Sequence, residues 1–243
     1  MKINVILAHC RGYGIGYAGK MSWRNGTDLQ RFARLTTGRG DYKNAIVMGR
    51  KTWQSLPYKR PLAKRDNLIL SRQQPNSVST EIDNTTNPNT DTTTTTTSVN
   101  PIPNPLNPPN PPHSFWFSTI DSVLAHCAAK AYDEVWIIGG EQLYSEFLGA
   151  QSPYLPLVHT VLITCIDEDF TCDTFCSADV VSHAALREHF TLFSVRTELE
   201  QCTNLVDGDG APAKIVSVSC YEYRNLVKRE CTNCGSGITA LLP

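Results

Sequence analysis

Asp28 is the one acid between residues 1 and 40, and the sequence sets Trp23, Leu29 and Phe32 close to it. A carboxylate in apolar surroundings can hold a protonated nitrogen heterocycle through paired hydrogen bonds. The plainer alternative is a first-turn helix carboxylate stabilised by the helix dipole. Arg65 stands between two polar residues just before an apolar run. Its residue type fits a solvated charge and a carboxylate clamp equally well. Gly49-Arg50-Lys51-Thr52 lies where a strand turns into a helix and brings two cations and a hydroxyl to the helix start. Gly139-Gly140, followed by Glu141 and Gln142, occupies a second junction of that kind, and Ser71-Arg72 ends a third strand. Such junctions offer backbone N–H groups and the positive end of a helix dipole to phosphate. Each taken singly is ordinary in an α/β protein. Three at strand ends, two of them with cations, point to a dinucleotide bearing an extra phosphate.

Gly14-Ile15-Gly16-Tyr17-Ala18-Gly19 spells GxGxxG after a strand, but a dinucleotide fingerprint needs a helix to begin inside the motif. Lys20 to Gly26 contains a turn and no helical stripe. The glycines therefore predict a mobile, permissive loop that can lie against a ligand.

The elements that carry these residues follow from periodicity. Ile3–Ala8, Ala45–Met48, Asn67–Leu70 and Glu134–Ile138 read as buried strands. A helix opens at Thr27, with Gln30 at capping-box spacing and Leu29, Phe32, Ala33 and Thr36 on one face. Short helices follow at 53–56 and after Gly140, and a longer one at 120–129. Later strands are expected at 160–166, 190–197 and 215–223, the last two flanking the turn signal Asp207-Gly208-Asp209-Gly210. Alternating strands and helices closed by a hairpin give an α/β fold with a mixed, mainly parallel sheet and an antiparallel edge.

Residues 75–113 hold 27 Asn, Pro or Thr in 39 positions. Such a composition cannot repay the entropy of ordering, so residues 73–113 are expected to form a disordered surface insertion. Without residues 75–113 the formal charge moves from −1 to +2, because Glu81, Asp83 and Asp91 leave with no Lys or Arg. Near neutrality gives no support to nucleic-acid or polybasic membrane binding. The first residues carry too short an apolar run for a signal peptide, and no segment approaches a membrane span. Nine scattered cysteines, several inside apolar runs, predict a reduced, cytoplasmic chain. Cys231 and Cys234 form a CxxC with no second pair at zinc spacing, so no metal is expected.

The segments VILAHCRGYGIGYAGKMSWRNGTDLQRF at 5–32, IVMGRKTWQSLP at 46–57, RPLAKRDNLILSR at 60–72, VWIIGGEQLY at 135–144 and LITCIDEDFTCDTF at 162–175 resemble dihydrofolate reductase, in that family's order. The resemblance implies helices on both faces of the sheet and a domain at 1–227 followed by a tail at 228–243. It implies NADPH as cofactor, dihydrofolate as substrate and a monomer. Asp28, Trp23 and Thr164 would be catalytic: Asp28 would hold the pteridine and support protonation of N5, Thr164 would hydrogen-bond Asp28, and Trp23 would position a water. Ile6, Leu7, Ala8, Leu29, Phe32, Leu56 and Ile138 would line the substrate pocket, and Arg65 would grip the glutamate tail. Cofactor contacts would come from Ala8, from the loop residues Ile15, Gly16, Gly19, Lys20 and Met21, and from Gly49, Arg50, Lys51, Thr52, Leu70, Ser71 and Arg72. Gly139, Gly140, Glu141, Gln142, Leu143 and Tyr144 would complete them, with the Gly139–Gly140 peptide cis.

Ser22 stands where the family carries proline, and losing that fixed φ predicts a looser loop. The closing segment Tyr221–Lys228 completes the reductase sheet and is also similar to the entry into thymidylate synthase in fused enzymes; no synthase domain is expected in the few residues after it. Two other functions fit the same fold: reduction of another pterin-like or pyrimidine substrate, or non-catalytic folate or nucleotide binding.

Overall fold

The structure is a computed structural model that describes residues 1–38, 43–57, 60–73, 113–206 and 212–225. The chain begins with β1 (Lys2–His9), β2 (Gly14–Gly16), β3 (Trp23–Asn25) and α1 (Gly26–Thr36). It continues through β4 (Asn44–Gly49), α2 (Arg50–Ser55), β5 (Asp66–Leu70), β6 (Ser114–Phe117), α3 (Ile120–Lys130), β7 (Glu134–Ile137) and α4 (Glu141–Leu148). The last third holds β8 (Val158–Ile166), β9 (Thr174–Phe175), α5 (Ala178–Val181), α6 (His183–His189), β10 (Thr191–Asn204) and β11 (Lys214–Arg224).

Among the described residues, nine strands form one sheet in the order β3-β10-β11-β8-β1-β7-β4-β5-β6. The pairs β1–β7, β1–β8, β4–β5, β4–β7 and β5–β6 are parallel. The pairs β8–β11, β11–β10 and β10–β3 are antiparallel. Strand alternation divides the apolar side chains of β1, β4, β5 and β7 between two cores, and a third, smaller cluster holds Trp23, Ile166, Cys202, Val216 and Val218. Ile3, Val5 and Leu7 of β1, Ala45 and Val47 of β4 and Val135 and Ile137 of β7 face α3 and α4, packing with Val123, Cys127, Leu143 and Phe147. Ile46 and Met48 of β4, Ile69 of β5 and Trp136 of β7 turn the other way, toward Trp53 of α2 and Leu35 of α1. Helices therefore cover both faces.

Several local expectations need correction. The cap of α1 is Asn25, whose side chain accepts from the Asp28 amide, and not Thr27. Helix α2 starts at Arg50, so the predicted turn Arg50–Thr52 is already helical. Leu29 is 44% exposed and Ala33 is exposed too; the inward face of α1 runs instead through Asp28, Arg31, Phe32, Leu35 and Thr36. Strand β10 continues seven residues past Thr197 to Asn204 because β3 pairs with its end, Asn25 opposite Cys202. The insertion at 74–112, the turn signal at 207–210 and the CxxC of the tail lie outside the described residues. Among the described residues no helix is long and apolar enough to cross a membrane.

Candidate active site

Asp28 enters the site one turn into α1, where the Asn25 cap fixes the helix start: Asn25 Oδ1 accepts from the Asp28 amide at 2.9 Å. Thr164, on β8 opposite Ala8 of β1, donates its hydroxyl to Asp28 Oδ1 at 2.7 Å. Arg31 donates to the same oxygen at 3.2 Å. Oδ2 accepts from no protein donor among the described residues. Burial raises the Asp28 carboxyl above its ordinary value, and the Thr164 hydroxyl and the Arg31 charge oppose the rise without cancelling it. Trp23 is buried nearby in the chain, and its indole N–H has no protein acceptor.

A cleft of about 750 Å³ runs between the glycine segment and α2, lined by Ala18, Gly19, Lys20, Lys51, Gln54, Ser55, Leu56 and Pro57. Ile6, Leu56 and Ile138 share one apolar cluster with Trp53, and Phe32 lies half-buried on the inward face of α1. Leu7 does not join them. Its side chain belongs to the opposite core, so only its backbone can face a ligand beside Ile6. Leu29 is placed at the surface instead of in the pocket.

The glycine segment is better anchored than its composition implies. Gly14–Gly16 pairs with β9, the Ala18 amide donates to Asp173 Oδ2 at 2.8 Å, and the Asp173 amide donates to the Gly16 carbonyl at 3.0 Å. The Ala18 amide holds the Asp173 carboxyl below its usual range. Ser22, expected to loosen the loop, is buried and donates its hydroxyl to the Thr171 carbonyl at 2.7 Å.

Gly139 and Gly140 join β7 to α4 through a cis peptide. Gly139 has φ +102° and its Cβ position would lie 2.7 Å from the Tyr144 ring, so no other residue fits there without movement. Two of the glycine junctions read from the sequence meet at this point: the Gly49 amide donates to the Gly139 carbonyl at 2.8 Å, and a Cβ on Gly140 would lie 3.5 Å from Thr52 Oγ1. Neither α2 nor α4 has a side-chain cap at its N-terminus, so first-turn amides are open to an acceptor. Arg50, Lys51 and Arg72 are exposed around them. Leu143 and Tyr144 are buried core residues; the Tyr144 hydroxyl donates to the Ile6 carbonyl at 3.1 Å, which ties α4 to β1. Ser71 spends its hydroxyl on the Gln73 carbonyl at 2.6 Å.

Residues 2–100 and 107–191 match the family model described as dihydrofolate reductase. The chain belongs to the dihydrofolate reductase family. It is 32% identical over 178 residues to dihydrofolate reductase of Drosophila melanogaster, covering 72% of this chain and 79% of that protein. It is 34% identical over 169 residues to dihydrofolate reductase of Candida albicans, covering 67% and 68% respectively. It is also 32% identical over 245 residues to bifunctional dihydrofolate reductase-thymidylate synthase 2 of Arabidopsis thaliana, covering 93% of this chain and 37% of that protein. The chain thus spans about a third of the length of such bifunctional relatives.

Within this dihydrofolate reductase fold, Arg65 is buried and bonded to the Ala63 carbonyl at 2.9 Å and to the Thr36 hydroxyl, with its guanidinium 5.9 Å from the centroid of the Phe32 ring. Among the described residues no acid pairs with it, and burial lowers its pKa, as expected of a cation lacking a counter-charge. Sequence reasoning missed Arg31 and Glu200. Glu200 Oε1 accepts from Arg31 at 2.9 Å and Oε2 accepts from Asn25 at 2.7 Å. No spacing signal joins residues 169 positions apart, and a glutamate in a strand reads as a solvated one.

Proposed function

We propose that the protein is an NADPH-dependent reductase of dihydrofolate, forming tetrahydrofolate for one-carbon metabolism. The observation that carries this reading is Asp28: a buried carboxylate with one oxygen taken by Thr164 and Arg31 and the other left to a ligand. The open oxygen would accept N–H donors of the pteridine. With its proton affinity raised by burial, Asp28 would support protonation of N5 near neutral pH. Ile6, Phe32, Leu56 and Ile138 would surround the rings, and Arg65, buried without an acidic partner, would take a carboxylate of the glutamate tail.

Membership of the family implies NADPH in general, and the donors here fit it. Arg50, Lys51 and Arg72 offer cations to phosphates, and Thr52 and the open amides of Gly140, Glu141 and Gln142 offer further donors. When bound, NADPH supplies the hydride. Ile15, Gly16, Gly19, Lys20 and Met21, in a segment tied down by Asp173 and Ser22, would cover its nicotinamide end and exclude water from the reacting atoms. Residues 1–227 would form this domain, and a monomeric, cytoplasmic protein is the working expectation.

The test is NADPH oxidation by the purified protein with dihydrofolate and, separately, with a pterin that lacks the aminobenzoylglutamate. Faster turnover of dihydrofolate supports the proposal. Equal rates favour a broader pterin reductase, and binding without turnover favours a non-catalytic binding protein.

A further inference from the structure

Asp28 belongs to a closed ring of hydrogen bonds that spans three elements. Glu200 on β10 accepts from Arg31 at 2.9 Å and from Asn25 at 2.7 Å. Asn25, at the end of β3, caps α1 through the Asp28 amide at 2.9 Å. Arg31, one turn along α1, returns to Asp28 Oδ1 at 3.2 Å. All of it is withdrawn from water: the side chains of Asp28, Arg31 and Glu200 are 13%, 16% and 4% exposed. Both oxygens of Glu200 and one of Asp28 are occupied, so the Asp28 oxygen outside the ring is the one turned over to a ligand.

We propose that Arg31 and Glu200 are positioning residues for the reaction, setting both the direction of the Asp28 carboxylate and its charge state. The inference rests on the reading of Asp28 as the substrate-facing group. Two physical effects follow from the ring. Geometrically, Glu200 holds the cap and the cation together, so the first turn of α1 cannot rotate without breaking two hydrogen bonds. Electrostatically, the ring holds two carboxylates and one guanidinium. Arg31 stabilises ionised Asp28, while Glu200 draws part of that cation away and adds a like charge. The net negative charge under the pocket favours a ligand that arrives protonated. The other titratable groups facing Asp28 from the packed elements are the Cys220 thiol on β11 and the Cys202 thiol on β10. Burial pushes both up, Cys202 to about 11, so both are neutral at physiological pH and leave the balance to Arg31 and Glu200.

The opposed signs give the test. In the unliganded protein carrying ¹³C-carboxyl aspartate, the Asp28 resonance is identified by its loss in Asp28→Asn and titrated by NMR. Arg31→Met should raise the pKa of Asp28 by about one pH unit or more, and Glu200→Gln should lower it. Arg31→Lys, which keeps the charge, should stay closer to wild type than Arg31→Met. The pH profile of kcat/KM with dihydrofolate should move in the same directions. Shifts of the same sign, or no shift, in the two neutralising variants would overturn the proposal. If Arg31→Met does not fold, Glu200→Gln decides alone: a fall supports the proposal, and no change or a rise overturns it. The NMR titration needs no turnover, so failure of the reductase reading and failure of this inference are separable.

Discussion

At Asp28, burial raises the proton affinity while Thr164 and Arg31 hold it down. Replacing the carboxylate with an amide keeps the shape and removes the charge. Asp28→Asn should lower turnover at neutral pH by about a hundredfold or more, the scale of lost proton-transfer support; steady-state rates with dihydrofolate check it. The same group makes a stability prediction with a definite sign. A carboxyl raised in the folded state binds more protons there than in the unfolded chain. Its contribution is fully present below the unfolded value of about 3.9 and fades as pH rises through the folded value. Denaturant titrations should therefore show wild type losing stability relative to Asp28→Asn as pH rises across that window. Arg65→Ala should weaken folate by about 1.5–3 kcal/mol, the range for a hydrogen bond to a charged group. An analogue without the glutamate should bind both forms equally. Equal losses for the two ligands would make Arg65 structural. Residue type singled out Asp28, a lone acid with aromatics close in sequence. For Arg65 it left a solvated charge and a carboxylate clamp even, and only the family resemblance gave that residue a role. Glu200 was invisible, since its burial depends on β10 running on to meet β3.

The strands that lead into the proposed phosphate junctions were legible because each is a short apolar run bounded by turn-forming or polar residues. β1, β4, β5 and β7 are such runs, β4 and β7 leading into glycine and β5 into Ser71-Arg72, and their boundaries fall within about two residues of expectation. Short elements escaped notice. β2, β3 and β9 are two or three residues long, and no periodicity resolves such lengths. For the same reason the glycine segment read as a free loop, although β9, Asp173 and Ser22 pin it. Around the α2 and α4 junctions, Lys51 and Arg72 are exposed cations. Neutralising both should erase most of the preference for NADPH over NADH, since only the former carries the extra phosphate. Dissociation constants for the two cofactors measure it. A preference that survives unchanged places that phosphate elsewhere.

Over the whole molecule, the mixed sheet and its two cores follow from strands apolar on both faces, the mark of parallel sheets covered by helices. What composition also isolates is the Asn-, Thr- and Pro-rich segment between β5 and β6. These strands are parallel neighbours with Ser114 opposite Asn67, so the ends to be joined, Leu70 and Ser114, lie about three residues apart along the strand. About eight residues reach roughly 27 Å, which is enough. Shortening the connection from about 40 residues to about 8 should change closure entropy by only ~1.4 kcal/mol, in favour of folding. The trimmed protein should fold and keep its turnover, and a folded product with a lost hydride-transfer rate would show the insertion to be functional. The reductase reading itself is tested most directly by a single turnover: excess protein loaded with NADPH, mixed with dihydrofolate, and the products identified. The fold and the Asp28 site predict NADPH consumed mole for mole with dihydrofolate and tetrahydrofolate formed, slowly in Asp28→Asn. Both ligands bound with no NADPH consumed, or NADPH consumed with no tetrahydrofolate formed, would contradict the account.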